Sequence, residues 1–362
     1  MNKNVWVVGF AIFTMFFGAG NITFPLLLTQ SWPNEWPATF LGFCLSGVLV
    51  TLIGLVGGVL ARNTENFFAP LGLVMGMIMQ IILVCIEGPF GVVPRCLIVA
   101  FGSIKEVLPQ TNNLYFYIIS AVILYFTALN KTILVKVIGK YITPIMLISL
   151  AAVIAIVVYQ NKLAILDKDL QFSYTAFKDG ITKGYLTYDL PGAIYFTTIA
   201  MGYLSVIGGT KKQMISNGLK ACCISAVLLI IIYAAFFYLG ATYNTQIAQI
   251  PVEQALSNIV KHSIGHGFAI IFAMFVVLAC LTTAVAAITI WTDFIYNILK
   301  KYNVKYNWIL IPSLMLAVFI SNLNFTGLIK ILSPVLTVLY PILVLLTLYN
   351  IVTKYKEFKA TG

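Results

Sequence analysis

Apolar runs of about twenty residues recur along the whole sequence, and that repetition constrains the fold more than any single motif. Ten such segments lie at about 5–28, 38–61, 72–104, 114–129, 138–160, 184–206, 219–241, 264–299, 307–322 and 327–352. A helix needs about 20 mostly apolar residues to cross the hydrocarbon core of a bilayer. Only 9% of the 362 residues are charged and 60% are hydrophobic, whereas a soluble domain carries about a quarter charged residues. Too little polar material remains to cover a water-soluble surface. The chain reads as an all-α polytopic membrane protein, a single transmembrane domain over 1–362 with lipid as its solvent. The third and eighth segments exceed the needed length and should tilt or project.

A net charge of +11 invites a nucleic-acid reading, but its placement argues against one. The basic residues form short clusters between apolar runs: Lys131/Lys136/Lys140, Lys211/Lys212, Lys300/Lys301/Lys305 and Lys354/Lys356/Lys359. Cytoplasmic loops beside anionic lipid headgroups carry such clusters. With the N-terminus inside, the inner segments hold fourteen Lys and Arg residues and the outer connections six. Four of those six, Lys162, Lys168, Lys178 and Lys183, lie in one connection with Asp167, Asp169 and Asp179. The expectation is a multi-pass protein of the cell (inner, plasma) membrane with both termini cytoplasmic. The first apolar run is long for a signal peptide and lacks a small-residue cleavage site, so it is expected to be retained.

Ten spans divide as five plus five, with halves at about 5–160 and 178–352. An odd number of spans per half makes the second half enter from the opposite side, so a repeat would be inverted. In the first span Phe17-Gly18-Ala19-Gly20-Asn21 precedes Phe24-Pro25, and in the sixth Asp189-Leu190-Pro191-Gly192 interrupts an apolar run. Breaks in the first helix of each half are a recurrent transporter device. Either stretch alone reads as a kink in a packed helix; together they imply a carrier. Glycine permits the unusual backbone angles and a close ligand approach, and proline removes a helical hydrogen bond. Unwound backbone in lipid is costly unless a bound ligand satisfies it.

Other polar residues admit plainer readings. Charged groups at membrane depth cost about 2.5–3.5 kcal/mol each on insertion scales, which singles out Glu87, Arg95 and Asp189. Glu87 and Arg95, eight residues apart on one helix and so roughly two turns, either flank the pathway or form a structural ion-pair network; Asp189 either binds a cation or ammonium, or caps a half-helix. Asp293 reads as an interfacial residue. His262 and His266 have the spacing of a zinc pair but no third ligand nearby, and all six cysteines fall in apolar runs as small packing residues. No nucleophile–base or metal constellation points to an enzyme.

At Phe16-Phe17-Gly18-Ala19-Gly20-Asn21-Ile22-Thr23-Phe24-Pro25 the sequence resembles the branched-chain amino acid carrier family, the leucine–isoleucine–valine:cation symporters of bacteria. Gly88-Pro89-Phe90 with Pro94-Arg95, Gly184-Tyr185-Leu186-Thr187-Tyr188-Asp189, and Ala279-Cys280-Leu281-Thr282-Thr283-Ala284 are similar to that family's third-, sixth- and eighth-helix motifs. The resemblance implies the leucine-transporter-type fold and sodium-coupled uptake of leucine, isoleucine and valine. It departs in three places. The family usually has about twelve spans, Glu87 stands where an apolar residue is expected, and Leu190-Pro191-Gly192 replaces an alanine-rich run.

In proteins of this fold, carbonyls of the first helix and oxygens of the eighth bind sodium, so the resemblance assigns Thr14, Phe17, Ala279, Thr282 and Thr283 to the ion. The last three share one side of a helix by their i, i+3, i+4 spacing; equally, the two threonines can bond back to their own helix. The substrate carboxylate is expected at the amides of Gly18, Ala19, Gly20 and Asn21, and the ammonium at the sixth-helix break, Asp189, Leu190 and Gly192. Phe90 and Phe196 are candidates for the side-chain pocket. Partners are then an amino acid and membrane lipid, with Na+ as coupling ion and no other cofactor. The alternative is a proton-coupled permease of the same fold for another neutral amino acid, with Glu87 or Asp189 carrying the proton.

Overall fold

The computed structural model describes residues 3–129, 143–161 and 170–360. The expectations for Lys131, Lys136, Lys140, Lys162, Asp167, Lys168 and Asp169, and for the start of the 138–160 segment, lie outside those residues.

Every regular element among the described residues is helical. Helices α1 (Lys3–Phe16) and α2 (Ala19–Ser31) form one apolar pair bent by 59°. α3 (Trp36–Cys44) continues through a π turn at Leu45–Leu49 into α4 (Val50–Ala61), and the short α5 (Thr64–Phe68) is next. α6 (Leu73–Glu87), α7 (Val92–Val107), α8 (Asn113–Ala128) and α9 (Thr143–Asn161) complete the first half of the chain. Then come α10 (Tyr174–Tyr185), α11 (Asp189–Ile207), α12 (Lys211–Thr242), α13 (Asn244–Ile247) and α14 (Val252–Ser263). α15 (His266–Leu299), α16 (Tyr306–Ile320) and α17 (Phe325–Ala360) end the described chain. Among the described residues, seven stretches are long and apolar enough to cross a membrane, eight counting the bent pair, and α8 and α16 are shorter apolar helices.

Local chemistry sets several boundaries. Asn112 caps α8 by accepting from the Leu114 and Tyr115 amides, Ser173 caps α10, and Thr210 with Gln213 forms a capping box at α12. α7 runs through the interior against α15 and is covered on one side by the amphipathic α14. There Lys261 meets Glu106 at 3.0 Å and Asn258 donates to the same carboxylate. Outward faces of α8 and α16 expose Ile118, Phe126, Met315 and Phe319. Such side chains belong against lipid tails.

α3 and α10 touch almost backbone to backbone. Gly180 and Gly184 form a Gly-x-x-x-Gly pair, and Gly42 and Ser46 answer them across the contact. A Cβ at Gly42 would collide with the Phe177 carbonyl, and one at Gly180 with that of Thr39. Small residues let membrane helices approach this closely and gain dispersion contacts. Ser46 also donates to the Ile181 carbonyl at 2.8 Å.

Two expectations need correction. The sequence starts the sixth segment at 184 and interrupts it at Asp189–Gly192; in the structure helix begins at Tyr174, and the residues between α10 and α11 are Leu186, Thr187 and Tyr188. Asp189, Leu190, Pro191 and Gly192 make the first turn of α11, where the amide that Pro191 lacks would have had no helical acceptor. Second, Glu87 and Arg95 do not stand two turns apart on one regular helix. α6 ends at Glu87, and the wide turn 88–91 is bridged by i→i−5 bonds from the Phe90 amide to the Cys85 carbonyl and from Val93 to Gly88. Such π-type geometry inserts an extra residue and re-aims the side chains beyond it.

Candidate functional site

Three discontinuities face one another: Phe17-Gly18 between α1 and α2, the 88–91 turn, and Leu186-Thr187-Tyr188 between α10 and α11. A cavity of about 10 Å³, little more than room for one water, lies among them. Met15, Phe16, Val92 and Phe196 supply its apolar wall, and Gly18, Ala19, Asn21, Glu87, Arg95, Thr187, Tyr188, Asp189 and Thr283 its polar one. Phe16 and Phe196 meet edge to face at 5.1 Å.

Arg95, 2% exposed, leans on the interruption between α10 and α11. Its Nη1 donates to the Leu186 carbonyl at 2.7 Å and its Nη2 to that of Thr187 at 2.6 Å. The guanidinium also sits 4.1 Å from the centroid of the Tyr188 ring. The carbonyls released by unwinding therefore hold an internal cation, and Tyr188 supplies a π face to it. Tyr188 reaches this position in the left-handed region, φ 72° and ψ 15°. For a non-glycine residue that conformation costs roughly 1–3 kcal/mol and needs surrounding structure to impose it.

Asp189, also buried, is held by α2 and α12. Asn21 Nδ2 donates to its Oδ2 at 2.7 Å, and the Tyr233 hydroxyl donates to the same oxygen at 3.3 Å. Asn21 donates to the Tyr233 oxygen as well. Three helices thus share one hydrogen-bonded knot, in which oriented dipoles hold the Asp189 carboxyl.

Glu87 differs. It is 1% exposed and its Oε1 has no hydrogen-bond partner, and neither does Arg95 Nε nor the Tyr188 hydroxyl. Gly192 is its neighbour: a Cβ there would stand 3.5 Å from Glu87 Oε1 and 3.0 Å from the Phe196 ring.

The oxygens assigned to an ion meet where α1 crosses α15. Thr283 Oγ1 lies 3.3 Å from both the Thr14 and the Ala279 carbonyl oxygens, and Thr282 Oγ1 donates to the Ala279 carbonyl at 2.8 Å. The Thr14 hydroxyl bonds that of Thr143 on α9. Gly18 makes the crossing possible, since a Cβ there would lie 2.7 Å from Thr283 Oγ1. Phe17 stacks its ring on Phe13 and Phe236 and also meets Phe275 of α15 at 6.3 Å.

The remaining assignments separate. Gly20 faces the guanidinium, where a Cβ would come within 3.0 Å of Arg95 Nη2. Leu190 turns away and packs against Gly54 of α4. Phe90 is a correction: it is 41% exposed, packs against Trp291 and does not line the cavity. The 88–91 turn carries it outward while returning Arg95 inward. Tyr188 and Tyr233 are functional candidates that sequence reasoning passed over. Tyr233 is a hydroxyl within an otherwise apolar run, which is a usable signal. His262 and His266 are both exposed, and no group of three or more His, Cys, Asp or Glu side chains that could hold a metal occurs among the described residues.

Comparison with known proteins fits this geometry. The fold matches the closed, bromovinylhydantoin-bound structure of Mhp1, a nucleobase-cation-symport-1 family transporter, with a TM-score of 0.59 at 11% identity over 91% of this chain and 74% of that one. The sequence is 30% identical to the branched-chain amino acid permease BrnQ of Bacillus subtilis (strain 168), covering 97% of this chain and 82% of BrnQ. It is 29% identical to a proposed branched-chain amino acid carrier of Staphylococcus aureus (strain USA300), covering 98% and 83%. The family model described as branched-chain amino acid transport protein matches residues 1–361. The chain is thus a multi-pass membrane transporter, not an enzyme, and belongs to the branched-chain amino acid transport protein family.

Proposed function

We propose that this protein is a secondary active carrier that imports leucine, isoleucine and valine by sodium symport across the plasma membrane. In this reading ten spans form a five-plus-five inverted repeat, halves about 5–160 and 178–352, with both termini cytoplasmic and the first and sixth spans broken. The observation that carries it is the convergence of the α1–α2 bend, the Leu186–Tyr188 interruption and the α15 threonines on one buried cavity. The names of the family's relatives supply the substrate class.

The oxygens of Thr14, Ala279, Thr282 and Thr283, with the Phe17 main chain, suit a small hard cation, because they are neutral and already grouped within hydrogen-bond distances. The first-turn amides of α2, at Ala19, Gly20 and Asn21, have no side-chain cap, and a substrate carboxylate completes them. Met15, Phe16, Val92 and Phe196 offer the side chain an apolar wall. Such a wall separates aliphatic side chains by only about 1–3 kcal/mol per methylene, so overlapping recognition of the three substrates is expected. Gly18 couples ion and substrate sterically, since it touches the Thr283 hydroxyl on one side and opens α2 on the other.

A second reading, proton coupling with another neutral amino acid, draws on Glu87 and Asp189, two buried carboxyls at the same cavity. Uptake into reconstituted vesicles separates the two. Labelled leucine should accumulate with an inward sodium gradient, and unlabelled isoleucine and valine should compete best among the twenty amino acids. Uptake indifferent to sodium but driven by an inward proton gradient defeats the sodium assignment.

A further inference from the structure

The site holds a donor and an acceptor that the protein itself leaves unused. Arg95 spends its terminal nitrogens on the Leu186 and Thr187 carbonyls, and its Nε–H has no acceptor. Glu87 Oε1 has no donor. Both side chains are at least nine-tenths buried, and both line the cavity at the start of α2. They do not satisfy each other, although burying a polar group without a hydrogen-bond partner is disfavoured. Arg95 also occupies the carbonyls that would otherwise receive a substrate ammonium.

We propose that Glu87 and Arg95 are the two poles that recognise an α-amino acid zwitterion: Glu87 Oε1 accepts from the ammonium, and Arg95 Nε–H donates to the carboxylate beside the first-turn amides of α2. The inference rests on the amino-acid transport reading of this same cavity. One ligand satisfies both orphan groups at once. A ligand carrying only one of its charges leaves the other buried and unpaired, which is how a polar site rejects analogues that lack a group. The clamp therefore selects α-amino acids over 2-deamino acids and amines, while the apolar wall reads the side chain.

The test measures binding of leucine, 4-methylpentanoate (no ammonium) and 3-methylbutylamine (no carboxylate) to the purified full chain in lipid nanodiscs. Wild type should bind leucine at least about 100-fold more tightly than either analogue. Glu87→Gln should weaken leucine by about 30-fold or more and leave 4-methylpentanoate within about threefold. Arg95→Lys should weaken leucine and 4-methylpentanoate together and spare 3-methylbutylamine. Leucine binding undisturbed in Glu87→Gln, or equal losses for all three ligands in either variant, overturns the clamp and leaves transport standing. Wild type that binds no leucine removes the transport reading, and the clamp with it. Should Glu87→Gln fail to fold, a hydrophobic carbodiimide on wild type decides: leucine should shield Glu87 from labelling, read by mass spectrometry, and 4-methylpentanoate should not. Equal labelling with and without leucine overturns the clamp.

Discussion

The Arg95 guanidinium lies over the face of Tyr188, 4.1 Å from its centroid, and that ring is presented from a left-handed backbone. The ring is needed there and the hydroxyl is not, because the hydroxyl is buried without a partner. Tyr188→Phe should be neutral or stabilising by about 1 kcal/mol, with leucine affinity held within about threefold. Tyr188→Leu removes the π face and should cost about 2 kcal/mol. Thermal melting of both variants in detergent checks this; a Phe variant that melts lower than the Leu variant would refute the assignment.

The Thr282→Ala/Thr283→Ala double variant removes two of the oxygens grouped at the α1–α15 crossing. The sodium concentration for half-maximal leucine uptake should rise about tenfold or more, given about 1.5–3 kcal/mol for a hydrogen bond to a charged group. Folding should be retained, since alanine is smaller than threonine beside Gly18. An unchanged sodium response would place the ion elsewhere.

Asn21 and Tyr233 both serve Asp189, and they do so from different helices. Tyr233→Phe should destabilise the protein by about 1–3 kcal/mol and Asn21→Ala by a similar amount, each leaving a buried carboxylate short of donors. The double variant should cost less than the sum, because the two groups share one network. Melting curves for the cycle measure the coupling, and strict additivity would dissolve the knot.

Outside the spans, burial of Glu253 against Gly102 raises its carboxyl above the ordinary glutamate value of 4.5. The folded state then holds that proton more tightly than the unfolded state. Its contribution is fully present below the ordinary value and is lost as pH rises through the raised native one. Melting temperature should therefore fall across that window in wild type, and Glu253→Gln should flatten the decline. A slope identical in both proteins would assign the effect to another group.

The class of the fold was legible because lipid imposes a length and a composition that recur in the chain. The site was only partly legible. Gly18 marks a close approach with no room for a side chain, and glycine announces such places. The Leu186–Tyr188 interruption contains neither glycine nor proline, whereas Pro191 and Gly192, which look disruptive, sit inside a regular first turn. The partners of Arg95 are main-chain carbonyls, and any residue type supplies those. Phe90 misled for a related reason: the widened 88–91 turn rotates α7 relative to α6, and hydropathy does not register one extra residue.

The glycine seam between α3 and α10 has a mechanical consequence. Where backbones rest against each other with only hydrogen atoms between them, neither helix can roll or slide without its partner. α10 therefore travels with α3 as one stiff plank. Any rearrangement at Leu186–Tyr188, which follows α10 directly, must carry α3 along or be taken up within those three residues.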